Sequence, residues 1–284
     1  MKPVIRPLVA AAIAVIAAST TAGCNKTERQ AYALTITGRI LGFDTARPTK
    51  IRSEVKVTGL GSNESLVQID YRPATANYYC LTNQARVCTV NPETGAASVV
   101  SATAFTTETL VNPVIDFNPV VDHLRLVASQ QNLRINPIDG KLVETDTDVF
   151  YDSGDVNDDI NPQLAAVAYD RNRSGASSTT LFALDVTTQS LVRIGSRNGT
   201  PDAPNGGKLF TIAKVGTPFT TSAGFDIEPD GDTAYALLAA NGAGAALFRI
   251  DLSDGSADRV GTLDEGDRAV ISLAVGPERD SGGN

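Results

Sequence analysis

The sequence contains no tryptophan, one methionine, one histidine and three cysteines, and only 6% of it is aromatic. A single histidine excludes every metal site built on two or more imidazoles, including the His-pair zinc motifs. No Cys-x-x-Cys is present, which removes thioredoxin-type redox chemistry. No Gly-x-Ser-x-Gly elbow marks a serine hydrolase. Positive charge is scarce: 24 Lys and Arg stand against 32 Asp and Glu, a formal charge of −8. A chain of that sign lacks the basic face that tracks phosphates, so nucleic acid is excluded as a partner. After the first two dozen residues the chain has neither a long apolar run nor a long amphipathic helical pattern.

What is present is a chain of 284 residues, 42% hydrophobic, with 24 Gly and 14 Pro. That length buries a sizeable core, and repetitive β folds of this size form one domain. Its beginning reads as an address. Lys2 and Arg6 precede the uncharged run Leu8 to Ala18, which as a helix spans about 16 Å. A bilayer core of about 30 Å needs roughly 20 residues, so this run predicts a secretory signal over residues 1–23 rather than a span. Ala22-Gly23-Cys24 resembles the bacterial lipobox, with Thr21 in place of the usual aliphatic residue. That resemblance implies acylation of Cys24, a tether over residues 24–30 and a membrane partner through the lipid. Asn25 after the cysteine resembles outer-membrane sorting. The expected location is therefore an exported, periplasm-facing or cell-surface outer-membrane lipoprotein; ordinary cleavage near Ala22, giving a soluble secreted or periplasmic protein, is the alternative. Removing Lys2 and Arg6 with the leader takes the formal charge from −8 to −10, which keeps the domain off anionic lipid.

Cys80 and Cys88 remain as a pair. They flank Leu-Thr-Asn-Gln-Ala-Arg-Val, where a three-residue loop at Asn83 to Ala85 places the two opposite each other on a hairpin. A cross-strand disulfide fits an oxidising compartment; two buried thiols are the alternative.

The mature chain repeats itself. From Leu66 and again from Pro113 the order is apolar strand, Asp, Pro turn, apolar strand, short loop, apolar strand, Asn-Pro-x-x-Gly turn, apolar strand. Pro73 and Pro119 lie 46 residues apart, Gly95 and Gly140 45 apart. A third copy starts at Ala223 and carries the turn Asp251 to Gly255, and a looser one begins near Leu164. Short alternating runs separated by turn residues are strand grammar, and four strands per period of this length is the pattern of β-propeller blades. The fold class is therefore all-β: a β-propeller of five blades, each of four antiparallel strands, over residues 31–277, with residues 278–284 as a tail. The stretches beginning at Ala31, Arg39 and Ile51 lack a first strand, and Val270 to Pro277 supplies one, so the N- and C-terminal strands pair in one composite blade. Six blades are the alternative if Gly195 to Phe219 builds extra strands.

Asp116-Phe-Asn-Pro119, Asp122-His-Leu-Arg125 and Asn132-Leu-Arg-Ile-Asn-Pro137 resemble the bacterial exported family called domain of unknown function 4394. Leu66 to Pro73 and Gly224 to Ile227 are also similar to it. The resemblance runs from about Tyr32 to Pro277 and implies a propeller-like fold, with no activity attached.

Asp116, Asn118, Asp122, Arg125 and Arg134 form the richest polar set in one repeat. Two Arg among apolar strands offer bidentate donors to a carboxylate or sulfate; the competing reading is that these groups cap turns and pair with one another. Asp recurs at the matching strand position as Asp70 and Asp226. The acidic loop Tyr151 to Asp159 places Asp152, Asp155, Asn157 and Asp159 at a density suited to calcium, the one cofactor the sequence admits, against a plain solvated loop. His123 is the only side chain with an ordinary pKa near neutrality, but nothing ties it to a nucleophile, so no catalytic residue is assigned. The expected function is a non-enzymatic module at the cell envelope that binds a protein or small ligand. The alternative is a calcium-assisted propeller hydrolase or lyase, motivated by the Asp residues at the blade starts.

Overall fold

The computed structural model describes residues 29–229, 231–240, 243–263 and 269–278, together with Met1. The leader, Cys24 and most of the tail lie outside them. No helix among the described residues is long and apolar enough to cross a membrane.

The strands in chain order are β1 (Arg29–Thr35), β2 (Arg39–Asp44), β3 (Arg47–Lys56), β4 (Leu66–Arg72), β5 (Asn77–Thr82), β6 (Val87–Val90), β7 (Ala97–Val99), β8 (Val114–Phe117), β9 (Leu124–Ala128), β10 (Gln131–Ile135) and β11 (Leu142–Asp146). They continue as β12 (Phe150–Tyr151), β13 (Leu164–Tyr169), β14 (Leu181–Asp185), β15 (Ser190–Ile194), β16 (Lys208–Lys214), β17 (Ala223–Ile227), β18 (Ala234–Leu238), β19 (Ala246–Ile250), β20 (Ala257–Thr262) and β21 (Val270–Glu278). They form five sheets: β4–β7 is the first blade, β8–β11 the second, β13–β16 the third, β17–β20 the fourth, and β21-β1-β2-β3 the fifth. The protein is a five-bladed propeller. The fifth blade is the expected composite, with Ala31 opposite Val275 and Ala33 opposite Leu273. Residues 195–219 add no sixth blade. They contribute β16, the outer strand of the third, beside which the two-residue β12 runs parallel.

Period-two alternation explains the packing. Along β18, Tyr235 and Leu237 face the fifth blade while Ala234, Ala236 and Leu238 face the third. Along β1, Ala31 and Ala33 turn to the fourth blade, Tyr32 and Leu34 to the first. Each hydrophobic cluster accordingly lies between two adjacent blades. The repeated turn is built as the sequence predicts: Gly95, Gly140 and Gly255 each donate N–H to the residue four back, Asn91, Asn136 and Asp251. All three hold φ near +70°, at 76°, 68° and 72°, where a side chain is strained.

Two boundaries shift. β1 begins at Arg29, inside the expected tether, and β21 ends at Glu278. Arg29 is buried and pairs with Glu228 at 2.7 Å and Glu278 at 3.0 Å, which pins the start of β1 to the fourth blade. Cys80 and Cys88 face each other across β5 and β6 and are bonded, with Cα atoms 4.8 Å apart.

Candidate functional site

Two polar centres follow from this architecture, one on the axis and one between two blades. The innermost strands β4, β8, β13, β17 and β21 surround the axis, and each turns one amide inward: those of Tyr71, Phe117, Tyr169, Ile227 and Val275. Three carboxylates satisfy all five. Asp70 accepts from Tyr71 at 2.7 Å and from Phe117 of the next blade at 2.8 Å. Asp226 accepts from Ile227 at 2.6 Å and from Val275 of the next blade at 2.6 Å. Asp116 accepts from Tyr169 of the next blade at 3.2 Å through Oδ1. Its own neighbour, Phe117, is already held by Asp70, so Asp116 Oδ2 accepts no hydrogen bond from any described residue. At the matching position the third and fifth blades carry Ala168 and Ala274.

All three carboxylates are buried, at 2%, 1% and 1% exposure, and an oxygen of each lies within 4.8 Å of the others. Two unit charges at that distance repel by about 3–4 kcal/mol even at an effective dielectric near 20. Burial and then the charge of Asp226 drive Asp70 well above the usual carboxylate range, against the pull of its two amides. Burial, followed by the charges of Asp70 and Asp226, does the same to Asp116. Burial pushes Asp226 up to about 7. Near neutrality this hub holds protons unless a cation replaces them.

The second centre contains most of the polar set singled out in the second repeat. A cavity of about 240 Å³ between the second and third blades is lined by Asn118, Val121, His123, Arg125, Arg134, Tyr169, Ala203, Pro204 and Asn205. Arg125 is only 2% exposed. Its guanidinium donates to Asp146 and Asn205 at 2.6 Å, Asn132 at 2.8 Å and the Tyr169 hydroxyl at 3.4 Å. Arg134 binds the same Asp146 through Nε and Nη2, both at 2.8 Å. Two guanidinium groups therefore share one carboxylate, which leaves a net positive wall. Arg134 Nη1 donates to no described residue, and the buried His123 Nδ1 has no partner. Asn118, Arg125 and Arg134 thus come together; Asp116 lies on the axis instead, and Asp122 forms a bidentate pair with Arg72.

The acidic loop does not gather. Asp155 accepts from the Thr211 amide and hydroxyl at 2.6 and 2.7 Å, Asn157 donates to the Thr211 hydroxyl, and Asp152 pairs with Lys208 at 3.2 Å. Asp159 is exposed. Among the described residues, the group whose ligand atoms could share an ion is Asp70, Asp116 and Asp226, not this loop. Sequence reasoning missed Asp146, which ends a short, mostly exposed strand.

The model of the family described as "Domain of unknown function (DUF4394)" matches residues 39–274. The chain belongs to the DUF4394 family. No curated protein matches it. Among solved structures, the DUF4394 chain is similar to a protein of unknown function from Bacteroides thetaiotaomicron, at 13% identity and a TM-score of 0.52 over 87% of this chain and 64% of that one. It is also similar to TolB from Acinetobacter baumannii, at 13% identity and TM-score 0.49 over 88% and 67%. A gluconolactonase from Xanthomonas campestris follows at 12% and 0.43, over 84% and 77%. The DUF4394 chain spans about two thirds of the first two structures, and likeness at these identities shows the fold alone.

Proposed function

We propose that this DUF4394 protein is an exported, non-enzymatic binding module, tethered through a lipid on Cys24, that holds a small oxyanion, carboxylate or sulfate, between its second and third blades. The observation that carries the reading is the positive wall of that cavity: Arg125 and Arg134 share one Asp146, with Arg134 Nη1 and His123 Nδ1 left without protein partners. Planar guanidinium groups match oxyanions in geometry as well as charge, and Arg125 is held rigid by four side chains before any ligand arrives. The Cys80–Cys88 disulfide supports an oxidising compartment, and the leader ending at Cys24 supports the tether. Metal-assisted hydrolysis or elimination is the weaker reading, because Asp70 and Asp226 direct both oxygens to backbone amides of the ring.

Calorimetric titration with short mono- and dicarboxylates and inorganic sulfate tests the pocket. At least one anion is expected to bind, and Arg134→Gln, which leaves Asp146 paired with Arg125, to weaken it by about tenfold or more, the worth of roughly 1.4 kcal/mol. Silence with every anion, or an unchanged affinity in Arg134→Gln, overturns the pocket. In the same preparations Cys24→Ala should leave the membrane fraction; equal recovery there overturns the tether.

A further inference from the structure

Charge is spread unevenly around the wheel. Residues 29–56, which hold β1, β2 and β3, carry six Lys and Arg against two Asp and Glu, a net +4. Residues 57–269, which hold β4 to β20, carry 14 against 27, a net −13. The formal charge taken as one number sets the domain against anionic lipid, but one blade has the opposite sign. Its cations gather on β3, the outermost strand of the fifth blade, where Arg47, Lys50, Arg52 and Lys56 are all exposed. Arg52 pairs with Asp44 at 3.1 Å, and Glu54, the one acid on β3, pairs with Arg39 at 3.2 Å. Lys50 and Lys56 pair with no acid among the described residues. Charge of either sign blunts a sheet edge, and β11 carries the exposed Glu144 there, so edge protection alone does not call for four cations on one strand.

The chain enters the wheel beside that strand. β1 begins at Arg29, five residues after Cys24, a length that spans at most about 18 Å of extended chain. The Arg29 carbonyl accepts from the Thr45 amide, and Asp44 stands opposite Arg47, where β3 starts. Two strand spacings of about 4.8 Å each separate β1 from β3, so a lipid on Cys24 keeps the basic strand within reach of the headgroups. The cavity between the second and third blades lies across the ring, because the first and fourth blades flank the fifth. The rim there has the other sign: residues 138–160 carry eight Asp and Glu against Lys141 alone, a net −7. We propose that β3 is a docking edge for an anionic phospholipid surface, on which the wheel stands with its fifth blade down and its cavity turned to solvent. Lys and Arg are drawn to such a surface within a Debye length of it, and the acidic rim opposite is repelled. The choice of a membrane over another anionic surface rests on the tether proposed above.

The test is co-sedimentation of the Cys24→Ala protein, which bears no acyl chain, with vesicles of phosphatidylcholine and of an equal mixture of phosphatidylcholine and phosphatidylglycerol. Binding is expected on the mixed vesicles at low salt, is lost at high salt, and falls by about tenfold or more in Lys50→Gln/Lys56→Gln. Lys141→Gln, on the acidic rim, should leave it unchanged. Both β3 lysines are exposed, and circular dichroism establishes that the double variant is folded. Equal retention on the two compositions, or an unchanged affinity in the double variant, overturns the docking edge. Orientation is read in the lipidated protein. The sequence has no tryptophan, so Thr49→Trp on β3 and Ile138→Trp, at a side chain 75% exposed on the second blade, are single reporters. Nitroxide-labelled lipid should quench the first and spare the second; equal or reversed quenching overturns the orientation. Failure of the tether shows separately, as Cys24→Ala protein retained in the membrane fraction, and leaves the vesicle comparison to decide the role of β3.

Discussion

Three junctions around the axis are closed by a buried carboxylate, and two are not. From first blade to second, second to third, and fourth to fifth, an Asp on one innermost strand accepts the inward amide of the next. From third to fourth and from fifth to first, Ala168 and Ala274 stand at that position. The inward amides of Ile227 and Tyr71 then fold back onto their own neighbours, Asp226 and Asp70. The fifth-to-first junction is fastened elsewhere: Ser272 Oγ takes the N–H of Ile69 and donates to its carbonyl, both at 3.1 Å, and Gln68 reaches the carbonyl of Ile271. The difference shows an economy of charge. Five carboxylates would satisfy the ring one by one, but at these distances each adds several kcal/mol of repulsion. Three suffice because two of them serve two amides each.

The comparison predicts unequal sensitivities. The largest effect is that of pH on the stability of the whole chain. The folded-state pKa values of the three Asp residues are raised above their unfolded value near 3.9, so the folded state binds the extra protons. Their contribution to stability is complete below about pH 4 and is lost as pH rises, through about 7 for Asp226, with Asp70 and Asp116 shifted in the same direction by burial and by neighbouring carboxylate charge. For Asp226 alone, with its pKa pushed up to about 7, that loss is about 4 kcal/mol by pH 8, of which about 2–3 kcal/mol falls between pH 5 and pH 8, at 1.36 kcal/mol per unit. Urea midpoints at pH 5 and pH 8 measure it; a midpoint that rises with pH breaks the account. The next effect contrasts the junctions. At pH 5, Asp226→Ala strips two buried amides of their acceptor and should cost about 2–6 kcal/mol, at roughly 1–3 each. Ser272→Ala should cost about 1–2 kcal/mol, since Ile69 loses a pair of neutral hydrogen bonds at a junction that Gln68 still spans. Equal costs in the two variants would erase the distinction.

Much of the wheel was legible along the chain, because blades are local. Alternation, the Asn-x-x-x-Gly turns with their positive φ at Gly95 and Gly140, and the missing first strand before Ala31 all act within a few dozen residues. The register of the Cys80–Cys88 hairpin was legible for the same reason. Recurrence of Asp70, Asp116 and Asp226 was visible too, as a property of the repeat. What those residues bond was not. The partner of Asp226 is Val275, on the strand that closes the ring, and only the assembled wheel brings five amides to one axis. The polar set of the second repeat divided for a related reason: Asp116 and Arg125 stand opposite each other on one face of the blade, but β8 lines the axis and β9 lies one strand farther out, where Arg125 meets the third blade. Asp146, which holds both Arg residues, lay on a strand whose exposed sequence carried no signal.

The claim that three carboxylates fasten five inward amides is tested most directly by native-state hydrogen exchange. The amides of Tyr71, Phe117, Tyr169, Ile227 and Val275 should exchange only through global unfolding, and Asp70→Ala should release Tyr71 and Phe117 while sparing Ile227 and Val275. Exchange of all five as fast as that of the exposed outer strand β11, or a uniform acceleration in Asp70→Ala without selectivity, would contradict it.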